Sequence, residues 1–231
     1  MDKVNEFEYG IDISTKARAD SLYFSRLSNE QFRYTSSEDL LTTDKGKKAL
    51  RDMIEAFFDI QRKRLDVLES YAQGDNYSIL SGRRRLDKEK ADYRVRHKWG
   101  GYIYSFATSY VIGNPVTIGI LEGANKEQLK TIEEIEWQND INALNSDLAF
   151  DASVYGRAFE YHFRDKDSID RVVLISPLEM FVIRDLTVEQ NIIAAVHLPI
   201  YVDKVDMTIY TKDKMISYKP FSIKSIRLSV E

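Results

Sequence analysis

An α+β fold, with N-terminal helices packed on a largely antiparallel sheet, follows from three features of the sequence. Up to about residue 156 the apolar residues recur at i, i+3 and i+4, the spacing that gathers them on one side of a helix. Beyond that point apolar and polar residues alternate singly, the period of a half-buried strand. The helical patterns come first and the strand patterns afterwards, so the two classes segregate instead of interleaving as in parallel α/β proteins.

Residues 1–45 are polar, with aromatics at Phe7, Tyr9, Tyr23, Phe24, Phe32 and Tyr34, and read as an arm. Ser36 followed by Asp39 marks a short capped helical turn. The α+β domain then occupies 46–231. Its first long helix spans about 44–73, where Leu50, Ile54, Phe57, Phe58, Leu65, Leu68 and Tyr71 form a stripe and Gly74 supplies the stop. A second helix begins near Trp99. Trp99, Tyr102, Ile103, Phe106, Tyr110 and Val111 share a face, which the periodicity assigns to the core. Gly113 and Asn114, both tolerant of positive φ, end this helix, and Pro115 biases Asn114 away from the α region. An extended strand, 116–121, is expected next.

Asn125 is a suitable N-cap for a third helix, with Leu129, Ile132 and Ile135 facing one way. Asp140 is placed to cap a fourth, whose stripe is Ile141, Leu144, Leu148, Ala152 and Tyr155, and Gly156 stops it. In the strand region Phe159, Tyr161 and Phe163 alternate with Glu160, His162 and Arg164. Further strands are predicted at 172–175, 180–183, 192–201, 205–211 and 214–218, separated by Ser176-Pro177, by 185–190 and by a two-residue hairpin at Lys212-Asp213. Pro199 requires an edge or a bulge in its strand.

With 43% hydrophobic and 30% charged residues over 231 positions, the chain falls among ordinary globular proteins. Its 14 Tyr and 11 Phe suit half-buried surfaces and subunit contacts as well as cores. The formal net charge of -4 excludes phosphate binding by the chain as a whole, so any nucleic-acid contact must be local. The local candidate is Arg83, Arg84, Arg85, Lys88, Lys90, Arg94, Arg96 and Lys98, eight cations interrupted by Asp87, Glu89 and Asp92. Such a run can track phosphates or meet the acidic surface of an adjacent copy, while its plain reading is a solvated loop. There is no cysteine, hence no disulfide framework and no thiolate metal site. No window is apolar enough for a membrane span.

Catalytic, cofactor and metal residues are not found. His97, His162 and His197 have no second ligand at zinc-site spacing. Gly113-Asn-Pro-Val-Thr lacks the second glycine and the lysine of a phosphate loop, and there is no Gly-x-Ser-x-Gly elbow. Glu133, Glu134 and Glu136 form the densest acidic cluster and read as a solvated helix face. A metal-dependent nuclease would need carboxylates gathered from separate elements.

Several segments, in one order, resemble the portal proteins of tailed bacteriophages in their long-tailed branch. They are Leu68-Glu-Ser-Tyr-Ala-Gln-Gly-Asp-Asn-Tyr-Ser-Ile-Leu80, Ser109-Tyr-Val-Ile-Gly-Asn-Pro-Val-Thr-Ile118, Trp137-Gln-Asn-Asp-Ile-Asn142, Asp151-Ala-Ser-Val-Tyr-Gly-Arg-Ala-Phe159 and Ile175-Ser-Pro-Leu-Glu-Met-Phe-Val-Ile183. The resemblance implies the fold of a portal wing domain and a non-enzymatic, ring-forming subunit, usually of twelve copies. Double-stranded DNA passes through such a ring at the capsid vertex, and the packaging motor and head-tail adaptor dock on it. It further implies a location in the virion or, before assembly, in the bacterial host's cytoplasm, and no cofactor. No long helix is predicted after residue 156, so the stem, clip and crown of that family are expected to be absent and the likeness covers the wing only. Self-association is accordingly expected to be weak in dilute solution, with Tyr9, Tyr23, Tyr34 and the basic run among the adhesive surfaces. A small nucleic-acid-binding module built on the run 83–98 is the competing reading, and the nuclease a third.

Overall fold

The computed structural model describes residues 7–8, 11–12, 31–75, 91, 93–121, 126–202 and 204–222. In chain order the elements are β1 (Phe7–Glu8), β2 (Ile11–Asp12), β3 (Phe32–Arg33), α1 (Ser37–Thr42) and α2 (Asp44–Ala56). A π-turn (Phe57–Gln61) leads directly into α3 (Arg62–Gln73), followed by α4 (Trp99–Ile112), α5 (Lys126–Asn139) and α6 (Ile141–Tyr155). The strands β4 (Phe159–Arg164), β5 (Asp170–Ile175), β6 (Met180–Arg184), β7 (Ile192–His197), β8 (Ile200–Tyr201), β9 (Lys204–Thr211) and β10 (Met215–Ser222) complete the described elements. The fold is α+β, helices first and a mostly antiparallel sheet afterwards. The chain divides into two compact units, Met1–Asp66 with Leu178–Glu231, and Val67–Pro177, the division falling inside α3.

The first unit is built on a sheet ordered β10-β9-β7-β6-β3, with β8 also pairing β9. All of its pairings are antiparallel except β3 with β6. Alternation sends Phe181, Ile183, Ala194, Val196, Val205 and Ile209 to one face, where Leu40, Leu50, Ile54 and Phe57 meet them. Phe181 lies opposite Val196 and Val196 opposite Ile209, so a continuous apolar row crosses three strands. The Phe57 ring packs on Phe181 at 5.1 Å, and Phe32 approaches Phe181 edge-on at 4.9 Å. Phe32 and Leu40 therefore belong to this core, inside the stretch that polarity alone assigns to an arm.

Local chemistry fixes the helix starts here. Ser36 Oγ accepts from Asp39 N at 3.1 Å to cap α1, and Thr43 Oγ1 accepts from Gly46 N at 3.0 Å to cap α2. The predicted helix over 44–73 is present, ending at Gly74 with φ +85, but the π-turn interrupts it after Ala56. A π-turn adds a residue to the helical repeat and so re-phases the stripe, which lets Phe57, Gln61 and Leu65 all be buried. Lys212-Asp213 forms the expected tight connection: Thr211 N donates to Lys214 O at 2.8 Å. The predicted strand 192–201 is split at Leu198-Pro199 into β7 and β8.

The second unit contains the end of α3, then α4, α5, α6 and the ribbon β4-β5. Helix α4 packs on α6, and α5 and α6 both pack on β5. Asn139, last residue of α5, clamps the open side of β5. Its Nδ2 donates to Asp170 O at 2.9 Å and its Oδ1 accepts from Val172 N at 3.0 Å, as a neighbouring strand would. Nδ2 is also within 2.9 Å of Ile135 O, which ties the clamp to its own helix. Replacing Asn139 with Ala unpairs a strand donor and acceptor together. The expected loss is about 2 kcal/mol in urea unfolding, with faster amide exchange at Val172.

Three expectations fail in this unit. Asp140 does not cap α6: it sits in the left-handed region at φ 47 with no side-chain capping bond, acting as the joint between α5 and α6. Gly113 ends α4 at φ -67, without a left-handed turn, so Pro115 is the effective stop. Residues 116–121 belong to no strand, and their side chains are exposed. The Asn125 cap lies outside the described residues. Gly156 does stop α6, at φ 72, with its N donating to Ala152 O at 3.0 Å.

Candidate interaction surface

Helix α4 carries the candidate surface, and its own geometry decides which side that is. Successive residues turn by about 100° around a helix. Trp99, Tyr102, Ile103, Phe106 and Tyr110 thus fall within one stripe, and Gly101, Tyr104, Thr108 and Ile112 fall roughly opposite. The second set makes the contact. Gly101 is buried, and Tyr104, Thr108 and Ile112 are half-buried, with the Thr108 hydroxyl oxygen itself out of reach of solvent. The two glycines at the start of α4 lie directly on the end of α3. A Cβ on Gly101 would stand 2.2 Å from the Ala72 carbonyl oxygen, and one on Gly100 would stand 3.0 Å from that of Tyr71.

The stripe assigned to the core is consequently open. Trp99 is 64% exposed, Phe106 65% and Tyr110 85%, and Tyr102, Ile103 and Val111 are exposed as well. The Trp99 and Tyr102 rings meet edge to face at 6.1 Å, so the stripe is already ordered at its N-terminal end. The core expectation fails for a physical reason: helices approach most closely where side chains are smallest, and a glycine pair contributes nothing to a hydrophobic count. The clue was the composition of α4, which has no charged residue and is apolar on both sides.

Of the basic run, Arg83, Arg84, Arg85, Lys88 and Lys90 lie outside the described residues. Arg94, Arg96 and Lys98 are on the irregular segment entering α4. Arg96 Nη1 pairs with Asp75 Oδ1 at 2.9 Å, and the Lys98 stem lies against Gly74. These two side chains thus hold the segment against the end of α3.

Helix α5 presents a second exposed feature, which the sequence reading left as a motif residue only. Trp137 is 85% exposed, and Glu133 and Glu134, one turn earlier, flank it. Glu133 and Glu134 are exposed, as a solvated face requires, and Glu136 is half-buried.

Among the described residues no three His, Asp or Glu side chains gather as a metal set. His162 Nε2 and Glu160 Oε1 are 3.0 Å apart on exposed strand positions, and His97 lies beside Trp99, their rings 6.4 Å apart. Burial pushes the His197 pKa down, opposed by Glu179.

One carboxylate is displaced. Asp151 on α6 is pushed up to about 6 by burial, and by the negative charges of Asp147 and Glu69. Its folded-state pKa lies above the ordinary 3.8, so the folded chain holds the extra proton between about pH 4 and 6. Stability is therefore greater below that window and falls as pH rises through it. Asp151→Asn should raise stability at pH 7.5 by about 1 kcal/mol, allowing for solvent screening of a half-exposed group, and change it little at pH 4. Thermal unfolding at both pH values measures this; an equal effect at both would assign the gain to something other than charge.

Among the described residues no helix is long and apolar enough to cross a membrane. A family model for phage portal proteins of the SPP1 Gp6-like type matches residues 51–230. Among curated proteins none matches the chain.

Proposed function

Because the chain belongs to the SPP1 Gp6-like family of phage portal proteins, we propose that it serves as a subunit of the portal ring at a capsid vertex. The family is structural and not enzymatic. On this reading the chain contributes wing-like structure to a ring through which double-stranded DNA is packaged and ejected, and against which the packaging motor and the head-tail connector dock. The match over 51–230 carries the reading, since it spans both compact units. The open aromatic face of α4 supports it. A structural subunit works by burying surface against neighbours, and this helix leaves its broadest apolar face for that use.

The test is genetic and microscopic. In a phage carrying this gene, an in-frame deletion should yield capsids without DNA, and a labelled copy supplied in trans should restore filling and appear at a single vertex. DNA-filled capsids in the absence of the chain would overturn the proposal. The nucleic-acid-binding alternative is tested separately with Arg83, Arg84 and Arg85 all replaced by Ala. Under the portal reading the isolated chain's retention of duplex DNA at moderate salt is weak, and the triple substitution changes it little.

A further inference from the structure

We infer that the open face of α4 on one copy receives the Trp137 side of α5 on the next, a head-to-tail contact between copies of this chain. This inference rests on the portal reading and names the surfaces that reading leaves open. Two complementary surfaces occur within one unit. The α4 stripe offers Trp99, Tyr102, Ile103, Phe106 and Tyr110 along three helical turns, all exposed. With aromatic side chains each burying roughly 150–250 Å² when covered, the stripe amounts to about 600 Å² of apolar surface, at the upper end of what monomers usually leave open. It approaches the roughly 800 Å² per partner of a stable interface before any polar rim is counted.

Charge selects the occupant. The segment entering α4 carries Arg94, Arg96 and Lys98, of which Arg96 pairs with Asp75. Helix α5 carries Glu127, Glu133, Glu134 and Glu136 against Lys126 and Lys130. The first surface is apolar with a basic end. The second sets Glu133 and Glu134 one turn from an exposed tryptophan, a side chain enriched at the centre of protein contacts. Both are exposed in the same chain, so neither covers the other within it. A second copy supplies the missing half in each direction, and because the two surfaces differ the contact is heterologous, the kind that propagates around a ring.

The absence of cysteine makes the contact directly testable. Phe106→Cys and Trp137→Cys are made singly in the full chain, both at exposed positions, with Val188→Cys, also exposed, as the control. The two single variants are mixed at high protein concentration and treated with a short thiol cross-linker. The expected result is a covalent dimer joining one of each, at least tenfold above either mixture containing the control, while the double variant Phe106→Cys/Trp137→Cys gives a ladder of higher species. Cross-linking of Phe106→Cys to itself as efficiently as to Trp137→Cys would mean that α4 meets α4, and would overturn the proposal. So would cross-linking no better than the control. If the capsid-vertex experiment succeeds while this one fails, the portal reading stands and only the assignment of surfaces falls.

Discussion

Phe57→Ala is expected to destabilise the chain by about 3 to 5 kcal/mol, whereas Phe106→Ala should cost under about 1 kcal/mol. Both are phenylalanines on apolar helical stripes, and the sequence pattern does not separate them. Their surroundings do. Phe57 has no exposed surface and packs its ring, tilted, against Phe181, which lies in the row that continues through Val196 to Ile209. Truncating it opens a cavity between helix and sheet that a three-strand row cannot close without moving. Phe106 faces solvent, so its removal leaves no cavity and discards little packing. Urea unfolding of the two variants, with unchanged slopes, measures the contrast. A loss at Phe106 comparable to that at Phe57 would place α4 in a core after all.

Gly101→Ala should also be strongly destabilising, by about 2 kcal/mol or more, even though alanine is ordinarily favoured over glycine inside a helix by up to about 1 kcal/mol. The added methyl would meet a backbone oxygen, Ala72 O at 2.2 Å, which cannot rotate away, and α3 and α4 would have to separate. Gly100→Ala, with its nearest atom at 3.0 Å, should be milder. Gly119→Ala, with nothing within 4 Å, should be neutral. This ranking is the informative part of the result. Equal, stabilising effects at Gly100 and Gly101 would mean that helix propensity governs and that the close approach of the two helices is not maintained in solution.

The elements themselves were legible because their signals are local. Ser36 with Asp39, Gly74, Gly156 and the alternation from Phe159 onward each act within a few residues, and the structure places boundaries near all of them. Pairing was less legible. Residues 116–121 are as apolar and β-branched as β5, yet only β5 is paired with another strand, and nothing inside the six residues reveals that. The Asn139 clamp was hidden for the opposite reason: its partners lie more than thirty residues away, so local spacing cannot announce it. The orientation of α4 was the largest misreading. Periodicity reports which residues share a side, and it is silent on whether that side meets its own chain or another's. Of the group Trp99, Tyr102, Ile103, Phe106, Tyr110 and Val111, assigned to the core on one face, all six are exposed, and Val111 turns about 100° away from Tyr110, off the stripe the other five share. Trp137 emerged only from its exposure.

The glycine-lined seat of α4 separates two demands that usually compete within a single helix. On the seated side, Gly100 and Gly101 hold the helix by backbone proximity, which tolerates almost no substitution. On the far side, Trp99, Tyr102, Ile103, Phe106 and Tyr110 stand mostly exposed. Changes there can follow a changing neighbour without a correlated change in the interior, so lineages carrying this chain should drift quickly across the outer stripe while remaining invariant at the two glycines. The same asymmetry makes the helix a convenient handle for engineering. Its outward residues can be rewritten to redirect association, with the scaffold beneath left untouched.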